Sequence, residues 1–172
     1  MALLDILVYP DPRLRQVAEP VVKFDAELKT LVENMRETMY EARGMGLAAV
    51  QVNVPLRVVV MDLSEDKTGF QVFINPTITQ LDASILFEEG CLSVPGFYSE
   101  IERVENVIIQ AQDLTGNSFE IKADGLLSIC IQHEIDHLDG KVFVDYLSKM
   151  KQDRVKKKMK KETRHSQNQA AW

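Results

Sequence analysis

The sequence predicts an α+β fold: antiparallel or mixed β-sheets packed around a central HExxH helix, with one helix ahead of the sheets and one at the C-terminus. Two patterns predict it. Strand-like runs rich in β-branched residues fall between Arg57 and Lys122 and are separated by polar turns. Helical patterns flank them. One runs from Asp25 to Arg43, and the other surrounds His133-Glu134-Ile135-Asp136-His137.

Size and composition fit one soluble domain. The chain has 172 residues, 45% hydrophobic and 27% charged. No apolar run is long enough to cross a membrane, and the start lacks the basic and apolar regions of a signal peptide. The expectation is a cytoplasmic protein without a membrane partner. Its two cysteines, Cys91 and Cys130, then read as free thiols or a metal ligand rather than a disulfide. Charge is uneven. Between Lys149 and Arg164, nine Lys or Arg against Asp153 and Glu162 give +7, so with −6 for the whole chain the rest carries −13. A basic end on an acidic body suits an anionic partner such as RNA, or is simply a solvated helix.

Taken in order, Val8 to Arg15 is a loop punctuated by Pro10 and Pro12, whose simplest role is docking onto the body. Asp25 can cap a helix in which Leu28, Leu31, Val32, Met35 and Met39 form one apolar face, with Gly44 expected as its C-cap. Gly44-Met45-Gly46-Leu47-Ala48-Ala49 lets backbone approach something closely, but lacks the Lys-Ser/Thr of a phosphate loop and the third Gly of a dinucleotide fingerprint. Gln51 is the lone polar side chain of the apolar run that follows Gly46, and needs a partner there.

Strands are expected at 57–62, 71–80 and 85–88, with Asn75-Pro76 marking an edge or bulge. Cys91 lies in the segment 88–96 that Pro95 ends, either as a buried thiol or as a metal ligand. Strand 103–113, the turn 114–117 and strand 118–122 form a hairpin. The central helix follows, stopped by Gly140. Ser148 then caps the basic helix, expected over 148–164, with a disordered tail over 166–172.

The chemistry sits on the central helix. At i and i+4, His133 and His137 leave the same face one turn apart and can grip one metal ion, while Glu134 can reach a water on it. The bland alternative is an ordinary satisfied pair of histidines. The apolar flanks Leu126, Leu127, Ile129 and Ile131 weigh against it, because buried imidazoles and a carboxylate need partners.

Three segments, GMGLAAVQ at 44–51, EGCLSVP at 89–95 and QHEIDHLDG at 132–140, resemble in this order the signature motifs of the peptide deformylase family, in its type 1 bacterial branch. The resemblance spans most of the chain and implies a single catalytic domain over 1–165. It implies removal of the formyl group from N-formylmethionyl nascent peptides. It implies Cys91, His133 and His137 as metal ligands, Glu134 as acid–base, and Gln51 with the backbone N–H of Leu92 as oxyanion donors. It implies Fe2+ as the ion, with Ni2+, Co2+ or Zn2+ able to substitute. Gly44, Met45, Gly46, Gly90, Tyr98, Ile129, Cys130 and His133 would meet the substrate. Cys130 stands about 10.5 Å along the helix from His137, which argues against it as a ligand. Bacterial relatives commonly carry Glu and Arg where this chain has Gly96 and Tyr98. The basic helix would dock on ribosomal RNA near the exit tunnel of the ribosome, and the protein would act as a monomer. Two other readings compete. An HExxH metallopeptidase would need a third ligand, for which only His165 in the charged tail remains. A non-catalytic RNA-binding protein with a structural metal would have no use for Glu134.

Overall fold

Residue patterns resolve into three helices and five strands in the computed structural model, which describes the backbone of residues 2–170 and the side chains of residues 2–162. Helix α1 spans Ala26–Glu41, β1 Gly46–Ala48, β2 Val58–Met61, β3 Gln71–Cys91, β4 Val94–Gln112, β5 Ser118–Ala123, α2 Gly125–Leu138 and α3 Lys149–Ala170. Short 3-10 turns cover Pro12–Arg15, Ala49–Val52 and Phe143–Tyr146. The strands form one antiparallel sheet in the order β1-β2-β3-β4-β5.

The run Val58-Val59-Val60-Met61 shows why this end of the sheet is apolar throughout. All four residues are buried. Val59 and Met61 join Phe73, Ile109 and the α2 residues Ile131, Ile135 and Leu138. Val58 and Val60 face the other way, onto Leu28, Val32, Met35 and Met39 of α1. A strand covered by a helix on each face loses the polar alternation of a half-exposed one. A third cluster joins Leu7, Tyr9 and Leu14 to Val94 and Ile101, to Val142, Phe143 and Val144, and to Val155 and Met159 of α3. The Pro-punctuated start thus docks as expected, with Leu7 N–H donating to Gln51 C=O and Tyr9 N–H to Ser93 C=O, each at 2.8 Å.

Several boundaries differ from the sequence expectation. The strands expected at 71–80 and 85–88 are one strand, β3. Its register slips between Gln80 and Asp82, and Ala83 takes φ +61°, so the backbone bulges and bends instead of turning. The slip between Ile74 and Thr77 confirms the bulge at Asn75-Pro76, on a central strand and not an edge. Within the segment 88–96, Cys91 pairs with Val94 at the end of the β3–β4 hairpin, leaving Leu92 and Ser93 as the two-residue turn.

The C-cap of α1 is not Gly44. Arg43 takes the left-handed conformation at φ +59°, with Arg43 N–H returning to Tyr40 C=O and Gly44 N–H to Met39 C=O. That is a Schellman closure shifted one residue back. Asp25 caps the start of α1 and Ser148 that of α3. Helix α3 continues past Arg164 to Ala170, and residues 171–172 of the expected tail lie outside the described residues.

Gly140 ends α2 as expected, at φ +77°, and a Cβ there would stand 2.7 Å from Arg15 C=O. Gly140→Ala should therefore cost roughly 2–3 kcal/mol, from the left-handed backbone plus the overlap. The check is the urea midpoint, and an unchanged midpoint contradicts the account.

Candidate metal centre

Two elements carry the titratable residues and a third leaves room for them. Helix α2 presents His133, Glu134 and His137, and the tip of the β3–β4 hairpin presents Cys91. Cys91 Sγ lies 3.3 Å from His137 Nε2, which lies 3.3 Å from His133 Nε2. One ligand atom from each of the three falls within 4.8 Å of the others. Ligand atoms about 2.0–2.3 Å from one ion stand about 3.3–3.8 Å apart, so these spacings suit a single divalent ion. One thiol and two imidazoles suit several first-row ions. Cys130 is outside this group.

The cavity beside the cluster has a volume of about 640 Å³. Its lining includes Gly44, Met45, Gly46, Gln51, Gly90, Cys91, Leu92, Tyr98, Ile129, Cys130, His133 and Glu134, so every residue that the sequence assigned to the site except His137 borders one space. His137 is fully buried behind it. Phe87, Pro95, Gly96 and Phe97 also border the cavity.

The glycines are explained by close approach. A Cβ at Gly46 would sit 2.5 Å from Glu134 Oε2, one at Gly44 2.5 Å from Leu92 Cδ1, and one at Gly90 2.5 Å from the Tyr98 ring. Backbone therefore touches the Glu134 carboxylate at Gly46, while the Tyr98 ring packs against Gly90 of the hairpin.

Gln51 is held in one orientation. Its Oε1 accepts from Ala48 N–H at 2.9 Å, which turns Nε2 toward the hairpin. There Nε2 donates to Ser93 Oγ at 3.1 Å and stands 3.6 Å from Cys91 Sγ. The second amide hydrogen is directed at Cys91 Sγ, on the side of the cluster.

A buried ion network backs His133. Glu89 Oε1 accepts from His133 Nδ1 at 2.8 Å, which leaves Nε2 for the cluster. Arg103 donates to both Glu89 oxygens, at 2.7 and 2.8 Å, and to Asp136 Oδ2 at 2.7 Å. Glu89 and Arg103 are only 3% and 6% exposed. Sequence reasoning missed this network. Its trace was visible, because Arg103 falls in phase with the inward positions Ile101, Val107 and Ile109 of β4, where a cation is out of place.

Electrostatics follow from this crowding. Burial pushes the Glu134 carboxyl up to about 7, against the lowering effect of His133. Burial pushes the Cys130 thiol up to about 12, with Glu134 and Glu89 adding to it. Burial would lower His133, but Cys91, Glu89 and Glu134 raise it well above the ordinary value. Burial, then the charge of His133, pushes His137 well below. Negative groups around two imidazoles invite a cation. Among the described residues, Glu134 Oε1 and His137 Nδ1 are buried atoms without a hydrogen-bond partner.

Known proteins are similar to this chain in sequence and fold. The family model described as "Polypeptide deformylase" matches residues 3–153. A protein of Chromobacterium violaceum named peptide deformylase is 58% identical over 168 residues, covering 98% of this chain and 99% of its own. Another so named, from Pseudomonas aeruginosa, is 57% identical and covers 95% and 98%. The crystal structure of a peptide deformylase from Legionella pneumophila superposes with a TM-score of 0.91 at 48% identity, covering 95% and 97%. One from Ehrlichia chaffeensis in complex with actinonin gives 0.89 at 44%, covering 94% and 98%.

Arg103→Met leaves Glu89 and Asp136 without their cation, and should destabilise the fold by about 3–5 kcal/mol. Adding Glu89→Gln removes one stranded charge and should recover part of that loss. Denaturant titration of both variants checks it, and equal stabilities for the two would contradict the assigned pairing.

Proposed function

The chain belongs to the polypeptide deformylase family, and from that premise we propose how its own residues perform the reaction. The enzyme is a metal-dependent hydrolase that removes the N-formyl group from nascent polypeptides. The observation that carries the residue assignment is the closeness of Cys91, His133 and His137 beside a buried, partnerless Glu134 oxygen. In this reading α2 is the helix around which the sheet and the hairpin are arranged, which the burial of Ile131, Ile135 and Leu138 supports.

Cys91, His133 and His137 would hold the ion, and we take it as Fe2+ with Ni2+, Co2+ or Zn2+ as substitutes. The donor set admits all four, and the motif resemblance selects iron. When bound, the ion supplies Lewis acidity, which acidifies water and polarises a carbonyl. Glu134 takes the proton of the attacking water and returns it to the leaving amine. A carboxyl raised to about 7 by burial suits both halves of that transfer near neutral pH. Gln51 Nε2 and the backbone N–H of Leu92 donate to the tetrahedral oxyanion, each worth about 3–4 kcal/mol in comparable sites. Gln51 reaches this position because Ala48 N–H fixes its other end. The products are formate and a peptide with a free amino group.

The substrate methionine side chain enters between Ile129, Cys130 and His133. The peptide runs extended along Gly44, Met45 and Gly46 on one side and Gly90 on the other, as an added strand. Tyr98, 63% exposed, offers its ring at the rim to the following residues. We place the protein in the cytoplasm as a monomer. Among the described residues no helix is long and apolar enough to cross a membrane.

Helix α3 is read as the ribosome-docking element, meeting ribosomal RNA near the exit tunnel. Its support is an outer face of exposed lysines, Lys156, Lys157, Lys160 and Lys161, opposite the buried Val155 and Met159. Because those two residues belong to the core, trimming the helix would damage the fold. Surface substitution is the sound test.

Two outcomes are expected. Glu134→Gln should lower formate release from a formyl-methionyl peptide by about 10²–10⁴-fold while the metal content holds. Full activity would end the acid–base assignment. Changing Lys156, Lys157, Lys160 and Lys161 together to Gln should weaken sedimentation with ribosomes severalfold and leave short-peptide turnover intact. Unchanged ribosome binding would remove the docking role.

A further inference from the structure

The hydrogen bonds behind His133 do not stop at Arg103. Asp136 Oδ2, which accepts from Arg103, also accepts from Tyr146 Oη at 2.8 Å. The guanidinium carbon of Arg103 stands 5.1 Å from the centre of the Tyr146 ring, within cation–π range. The network therefore runs from Tyr146 through Asp136, Arg103 and Glu89 to His133 Nδ1, and each link is 2.7 or 2.8 Å long.

Tyr146 is its only half-exposed member, at 51%. It ends the turn Phe143–Tyr146, and that turn meets His133 a second time. The Phe143 ring lies 6.1 Å from the His133 ring, tilted by 30°. One short turn thus touches the same imidazole by a ring contact and through a relay. Burial, then Asp136, pushes the Tyr146 hydroxyl up to about 12, so it remains a donor across the working range.

We propose that Tyr146 is a positioning residue of the metal centre: its hydroxyl and ring fix Asp136 and Arg103, and through Glu89 fix the tautomer and tilt of His133. The proposal rests on Cys91, His133 and His137 being the ligands. Tyr146 touches neither the cavity nor the cluster, so its effect appears in how firmly the ion is held. Loss of a partner one step behind a ligating histidine typically costs about 10–100-fold in metal affinity. Tyr146 stands further back and should count for less.

The test uses the full-length enzyme loaded with Co2+, whose visible absorption reports the thiolate and imidazole ligands. Release to excess chelator is timed, and the thermal midpoint of the stripped protein is measured beside it. Tyr146→Phe keeps the ring and loses the hydroxyl, and should speed release about 3–10-fold with an unchanged stripped midpoint. Tyr146→Leu removes both and should speed it further. Release at the wild-type rate overturns the proposal. So does release that accelerates only in step with a falling midpoint of the stripped protein, since that is a structural role. A wild-type protein that takes up no Co2+ refutes the ligand assignment instead, and so separates the two failures.

Discussion

A guanidinium almost sealed from water holds the site together. Arg103 reaches from β4 to Glu89 on β3 and to Asp136 on α2. Glu89 lies two residues before Cys91, and Asp136 lies beside His137. The same cation that joins the two carboxylates therefore brings the hairpin tip to the helix face. Burying such a triad costs desolvation comparable with the attraction it gains. Its main effect is to fix register. A strand slip of one residue would turn Cys91 away from the imidazoles and Glu89 away from His133.

Around that fixed point, closeness is achieved by leaving side chains out. Gly46 admits the Glu134 carboxylate, Gly44 admits Leu92, and Gly90 admits the Tyr98 ring. These contacts set the width of the cavity between β1 and the hairpin. The contact at Gly46 also keeps the Glu134 carboxylate out of water, and burial raises its carboxyl toward neutrality. The same lack of water that raises it would strengthen the hydrogen bonds that Gln51 offers to a developing negative charge.

The C-terminal helix faces two ways. Val155 and Met159 enter the cluster that also holds Val94, Phe143 and Tyr9, and Lys158 Nζ donates to Gly96 C=O at 2.7 Å beside the cavity rim. The other lysines stand in solvent. An element that is both a wall of the core and a charged surface cannot be removed to isolate either role. Its charge alone did not reveal this. Val155 and Met159, at i and i+4, lie on one face of the helix, and that face is the inward one.

Much was written in the sequence itself. Local periodicity determined α1, the strand expected at 57–62 and the pairing of 103–113 with 118–122, because those signals lie within one element, but not that β4 begins as early as Val94. HEIDH determined that His133 and His137 leave one helix face together, because helical pitch alone sets the two imidazoles one turn apart. Three motifs in order determined the family. The sequence did not show that β3 runs unbroken through Ala83, that Arg43 and not Gly44 closes α1, or that Gly44 is small to admit Leu92. It did not show the path from Tyr146 to His133 either. These depend on contacts between residues distant along the chain, and only the packed sheet and helix decide which inward-facing charges meet.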